Sequence, residues 1–348
     1  MQVSRVLLGV TVLLTVPSAA ICAEDTRRGT VTFHCAECEA TLPAQYRLPP
    51  HAFDYQIAPV ATTSRTLRIS KVTFPSPVVT REPRNNTVHC EFFCPVENVP
   101  AAGATGADTP PVRRPAVIML HILGGDFDLS RLFCRALASR GVAALFLQMP
   151  YYGERRQPDS PARMVSADAE EVVRGMTQAV LDCRQAAAWL AAQENVDPSQ
   201  LGIMGISLGG ITGALAASIE PRFNKACFIL AGGEMGEVAW TSEELAPLRE
   251  QWLASGRSKE QLFATLKSVD PVTYARPQSG REILMLNARR DEVVPTQCTT
   301  ALWRAFGEPR IVWWDAGHYS AARYMFDGVA MAVEFFQPPT AGAQSTAK

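Results

Sequence analysis

Histidine is scarce in this chain of 348 residues: there are five, and three of them (His34, His51 and His89) precede residue 90. Chemistry that needs an imidazole base beyond that point has only His121 and His318 to draw on. Charge of either sign is equally undistinguished. Lys and Arg number 33 against 34 Asp and Glu, for a net charge of −1, with no basic stripe and no charge block. That balance excludes nucleic acid and membrane surfaces as expected partners. No stretch is apolar for long enough to span a bilayer, and no internal repeat points to a solenoid. The nine cysteines lack the Cys-x-x-Cys-His order of haem attachment.

What the chain does have is concentrated at residues 201–210, Leu-Gly-Ile-Met-Gly-Ile-Ser-Leu-Gly-Gly. Ser207 stands in a Gly-x-Ser-x-Gly frame behind a short apolar strand signal and ahead of an Ala-rich helix signal running to Ile219. A serine at a sharp strand-to-helix turn exposes its hydroxyl, and the small Gly205 and Gly209 let the backbone double back. Asp291 follows the apolar run 282–287, and His318 follows the run 310–314. Each candidate thus falls where a strand ends, the edge at which open α/β sheets gather ligands. The chemistry asks for these three types. Ser207 needs a base, the role of His318, and Asp291 would fix the tautomer of that imidazole. Asp270, before a proline, reads as a turn or cap residue, and Asp315 only flanks the histidine loop.

The order Ser207, Asp291, His318 with the glycine-framed elbow resembles the α/β-hydrolase superfamily over roughly residues 66–336. The resemblance implies an α/β-hydrolase fold: a mostly parallel, doubly covered sheet with two leading antiparallel strands and a small helical insertion. It also implies an oxyanion hole. Leu208 N–H is one expected donor. The other is Leu123 N–H, because His121-Ile-Leu-Gly-Gly125 looks like the family's His-Gly-x-Gly-Gly loop with Ile122 where a glycine is usual. A second stretch, Pro150-Tyr-Tyr-Gly-Glu-Arg155, resembles a Pro-Tyr-Tyr-Gly-x-Arg loop of one subgroup. By topology it would line the pocket rim, so Tyr151, Tyr152 and Arg156, together with His121 of the oxyanion loop, are the expected substrate-binding residues. Arg155 is read as structural or ion-paired.

The domain organisation is expected to run as follows. Residues 1–23 read as a secretory signal peptide, with Arg5, an apolar run over 6–16 and small residues at Ala20 and Ala23, so the mature protein is expected to be exported, periplasmic or secreted. Residues 24–65 read as an N-terminal extension wrapping the main domain. The hydrolase domain spans 66–338, with a cap over 234–270, and residues 339–348 are a disordered tail. The two antiparallel strands are expected at 67–74 and 87–93. Cys134, Cys183, Cys227 and Cys298 read as buried thiols. Cys35, Cys38, Cys90 and Cys94 form two close pairs, for which disulfides between the segments are the favoured state in an exported protein, with free thiols and a zinc site as the alternatives.

The expected activity is therefore that of an exported serine hydrolase acting on a small-molecule or carbohydrate ester, with no cofactor and no metal. A peptidase or amidase of the same fold and a non-catalytic binding protein on the same scaffold are the alternatives.

Overall fold

The computed structural model describes residues 26–34, 39–96, 112–125, 127–277 and 280–338. Its strands are β1 (Arg27–Phe33), β2 (His51–Val60), β3 (Leu67–Pro75), β4 (Thr87–Pro95), β5 (Arg114–Leu120), β6 (Ala143–Leu147), β7 (Val196–Ile206), β8 (Phe223–Ile229), β9 (Glu282–Ala288) and β10 (Arg310–Trp314). They form one sheet in the order β1-β2-β3-β4-β6-β5-β7-β8-β9-β10. From β6 to β10 neighbouring strands run parallel, while β1 to β4 are antiparallel to one another and β4 is antiparallel to β6.

Parallel strands covered on both faces have no reason to alternate polar and apolar residues. Strand β5 shows this. Ala116, Ile118 and Leu120 point into one core and Val117 and Met119 into the other, all within 1 % of complete burial. The α-helices among the described residues are α1 (Phe127–Ser139), α2 (Ala169–Ala191), α3 (Leu208–Ile219), α4 (Met235–Thr241), α5 (Ala246–Ala254), α6 (Lys259–Leu266), α7 (Pro271–Tyr274), α8 (Thr296–Ala305) and α9 (Met325–Phe336). Helices α1 and α9 cover one face, and α2, α3 and α8 cover the other. The side chain of Asp168 opens α2 by accepting from the Glu170 N–H at 3.0 Å. Ser258 and Gln261 close a capping box on α6.

Two expectations are corrected here. Among the described residues there are four leading antiparallel strands, not two, and the segment before residue 65 does not merely wrap the domain. It supplies β1 and β2, the edge of the same sheet. An edge strand with one solvent-facing side leaves a weak pattern: in β1 only Val31 and Phe33 are buried. Charge anchors this edge. Arg184 of α2 and Arg222 both stack on the Phe33 ring, at 5.3 and 5.2 Å, and both bind the buried Glu220 carboxylate.

A second buried charge pair joins α2 to the loop after β6. Arg155 Nη1 meets Asp182 Oδ2 at 2.7 Å, with both side chains fully buried. Burial pushes the Asp182 carboxyl up, while the Arg155 charge and the Ser76 hydroxyl, which donates at 2.6 Å, pull it down. Arg155 also donates to the carbonyls of Gln148 (3.1 Å) and Asn85 (2.8 Å). Removing one partner strands the other in a dry site. Arg155→Met is expected to lower the unfolding free energy by about 3–5 kcal/mol, and Arg155→Met/Asp182→Leu to recover part of that loss. Urea denaturation of the three proteins checks both.

Candidate active site

The site is built at the ends of β5, β7, β9 and β10, on one edge of the sheet. Strand β7 stops at Ile206 and α3 starts at Leu208, so Ser207 alone makes the turn. It does so at φ 53 and ψ −118, a backbone state costly for any residue with a Cβ. Its N–H donates to the Ile229 carbonyl at 2.8 Å, and its own carbonyl accepts from the Ile211 N–H at 2.9 Å. The flanking glycines are required by distance. A Cβ at Gly205 would lie 2.2 Å from the Gly209 carbonyl oxygen, and one at Gly209 would lie 2.5 Å from the carbonyl oxygens of Leu120 and His121.

Ser207, His318 and Asp291 come together as one hydrogen-bonded line. Ser207 Oγ lies 2.9 Å from His318 Nε2, and His318 Nδ1 lies 2.9 Å from each Asp291 oxygen. With the Nδ1 proton donated to Asp291, Nε2 is left to accept from the serine hydroxyl. Asp291 is itself held by the N–H groups of Val293 (3.0 Å) and Val294 (2.7 Å). Asp270 accepts instead from the N–H groups of Glu234, Met235 and Val272, as a capping residue does. Asp315 pairs with Arg290.

Glu292 also belongs to this arrangement and was not foreseen. Its Oε2 accepts from the His318 N–H at 2.9 Å, pinning the histidine loop to the acid loop. Burial raises its carboxyl, but the amide donors of His318 and Tyr319 outweigh it and hold the group below the usual carboxylate range. Its place beside Asp291 in the chain was the available signal. The Tyr319 hydroxyl donates to Glu244 Oε2 at 2.6 Å, joining the histidine loop to the cap and pushing the phenol up to about 12. Those partners lie 75 positions apart, and no local pattern announces them.

Leu123 and Leu208 both line a cavity that opens at Ser207. The cap does as well: Met235, Leu248, Trp252 and Leu266 form much of its roof. The four residues expected to bind substrate do not line it. His121 is fully buried, with Nδ1 donating to the Ile122 carbonyl at 2.8 Å and Nε2 accepting from the Met149 N–H at 3.1 Å. Both ring nitrogens are used in bracing two loops. Tyr152 packs edge-on against that imidazole, with centroids 4.7 Å apart. Tyr151 turns at φ 66 while its N–H donates to Asn85 Oδ1, and it packs into the core. Arg156 is exposed beyond them. The Arg155–Asp182 pair draws the whole loop down behind the site.

Cys134, Cys183, Cys227 and Cys298 are buried free thiols, raised by burial. Cys90 is one too, on the inward face of β4, so the expected link through it is not made. Cys35 and Cys38 lie outside the described residues, as does the leader-like segment 1–23. Among the described residues no group of three His, Cys, Asp or Glu could hold a metal, and no helix is long and apolar enough to cross a membrane.

Burial lowers His121 to about 4, helped by the nearby Arg155 charge and opposed by the Ile122 carbonyl. A histidine held neutral in the fold but free to protonate near 6.5 when unfolded stabilises fully above 6.5 and loses that contribution as pH falls toward 4. Wild type should therefore lose about 3 kcal/mol relative to His121→Gln between pH 7 and pH 4. Parallel urea titrations at the two pH values measure the difference.

Comparison with known proteins agrees with this architecture. The model of the prolyl oligopeptidase family matches residues 175–337, and that of α/β hydrolase domain containing 18 matches residues 104–243. An uncharacterised protein of Mycobacterium tuberculosis strain H37Rv is 32% identical over 180 residues, 49% of this chain and 40% of that one. The chain thus spans about two fifths of the curated relatives it matches. Acetyl xylan esterase from Paenibacillus sp. R4 superposes with a TM-score of 0.61 at 19% identity, over 80% of this chain and 88% of that one. Acetyl xylan esterase 1 from Thermoanaerobacterium sp. JW/SL YS485 gives 0.61 at 17%, over 81% and 86%. Acylaminoacyl peptidase from Pyrococcus horikoshii gives 0.56 at 13%, over 83% and 46%. Ten strands, their order and the superposed structures establish that this chain has the α/β-hydrolase fold.

Proposed function

We propose that the chain is a serine hydrolase that cleaves carboxylic esters through an acyl-enzyme on Ser207. The observation that carries this reading is the unbroken line from Ser207 Oγ through His318 to Asp291. The Ser207 oxygen attacks the ester carbonyl while its proton passes to His318 Nε2. Asp291 stabilises the imidazolium that results. The oxyanion is met by the amides of Leu208, the first residue of α3, and Leu123. Collapse breaks the bond to the alcohol oxygen, which takes the proton back from His318. Water, activated by the same imidazole, then attacks the acyl-enzyme, releases the acid and restores the serine. No step calls on a metal or cofactor.

Two structural neighbours are acetyl xylan esterases, which supports ester chemistry, while the prolyl oligopeptidase model and the acylaminoacyl peptidase keep amide chemistry as the second reading. The leader-like pattern of residues 1–23 supports work outside the cytoplasm.

A fluorophosphonate probe should label the wild type and not Ser207→Ala. Asp291→Asn should lower kcat on an aryl ester by about 10⁴, the penalty for a wrongly held imidazole tautomer. Turnover of aryl amides at rates matching the esters would move the assignment to a peptidase. An unlabelled, well-folded wild type would remove catalysis altogether.

A further inference from the structure

The cavity at Ser207 has a volume of about 100 Å³. Its walls come from residues 165–167 and the N-terminal half of α2, from Ile211 of α3, from the cap and from Val293 and Val294 of the loop that carries Asp291, and they are aliphatic apart from Trp252 and a few polar side chains. Those polar groups, Ser207 aside, are Ser166, Glu244 and Arg249. Each already has a partner within the protein. Ser166 donates to the Asp168 carbonyl, Glu244 accepts from Tyr319, and Arg249 donates to the Trp240 carbonyl while lying over the Trp240 ring. Site groups that read sugar hydroxyls, a carboxylate or a peptide amine have to turn polar atoms toward the ligand, because each buried polar group needs its own partner. These walls offer hydrocarbon.

Position decides which half of an ester enters. Leu208 and Leu123, the residues whose amides would meet the oxyanion, line the cavity with Ser207, whereas His318 does not. The leaving oxygen has to face His318 to collect its proton. The cavity therefore lies on the acyl side of the bond.

We infer that the cavity is an acyl-chain site and that the substrate is an ester of a medium-length aliphatic acid, not an acetate. The inference rests on the esterase reading of Ser207. Acetyl leaves most of this apolar space unfilled, and each methylene added until it is full gains burial worth roughly a fourfold rise in kcat/KM. Trp252 is the largest side chain in the wall. It is 2% exposed, its indole N–H donates to the Ser258 carbonyl at 2.9 Å, and Arg257 covers its outer face at 4.6 Å.

The test is a series of p-nitrophenyl esters, from acetate through butyrate, hexanoate and octanoate to dodecanoate, on the full chain. The expected kcat/KM peaks at hexanoate or octanoate, at least about tenfold above acetate, and falls at dodecanoate. A parallel series of acetates of lengthening alcohols should stay flat. Trp252→Ala should move the acyl optimum to longer chains, and Ala239→Phe, filling the cavity from α4, to shorter ones. An optimum at acetate, or a dependence on the alcohol and not on the acid, overturns the inference while leaving the esterase reading intact. If no ester is turned over and the fluorophosphonate does not label Ser207, the esterase reading fails by itself. Calorimetric titration of octanoate and acetate into Ser207→Ala then decides the cavity. Binding of octanoate at least about tenfold tighter than acetate upholds an aliphatic-chain site, and equal or absent binding overturns it.

Discussion

Everything at the site follows from how little room there is where β7 becomes α3. The strand end, the helix start and the carbonyls of Leu120 and His121 crowd so closely that neither Gly205 nor Gly209 has space for a Cβ. Ser207, between them, takes a left-handed φ that costs of order 1–3 kcal/mol. The surrounding sheet holds it there: its N–H is fixed to Ile229 on β8, and its carbonyl already serves the first turn of α3. The result is a hydroxyl aimed at the loops that leave β9 and β10, where an aspartate and a histidine can be hung from neighbouring parallel strands. The strain at one residue sets the position that the other two must reach.

Around that point the buried charges serve placement. Arg155 and Asp182 touch neither Ser207 nor the cavity, yet they fix the loop carrying Tyr151 and Tyr152. Tyr152 in turn packs on His121, whose two ring nitrogens tie the end of β5 to the loop after β6. The loop containing Leu123 thus rests on a neutral imidazole and an aromatic ring, and behind them on a paired guanidinium. Such a chain gives a backbone amide a fixed address.

The sequence made the elbow and its partners legible because each depends on local chemistry. Glycines at fixed spacing, an apolar run before and an Ala-rich run after, and single polar residues at strand ends are all patterns within a dozen residues. The fold's doubly covered core was legible for the same reason, in the unbroken apolar runs of β5 and β9. What failed to show was anything set by distant pairing. Strands β1 and β2 bury few residues, and β1 is anchored by Arg184 and Arg222 on Phe33, contacts that no periodicity encodes. His121, Tyr151, Tyr152 and Arg156 were assigned to the rim by their position after strands, but whether a loop side chain faces the pocket or the core is decided by what lies beneath it. Here the Arg155–Asp182 pair decides. The bridge from Glu244 to Tyr319 was invisible for the same reason.

The apolar lining of the cavity also bears on the chemistry proposed at its mouth. Electrostatic interactions strengthen as water is removed, so the hydrogen bonds from Ser207 to His318 to Asp291 gain from an aliphatic wall on one side. That wall imposes a direction. If an acyl chain fills the space beneath the cap, the water that hydrolyses the acyl-enzyme cannot arrive through it. It has to come from the His318 side, along the path the alcohol has just left. That is also where the imidazole stands ready to take its proton. On the proposed reading, one apolar surface would both select the acid and keep water from the acyl face, and the cap helices α4 to α6 supply part of that surface together with α2 and the loop carrying Val293 and Val294.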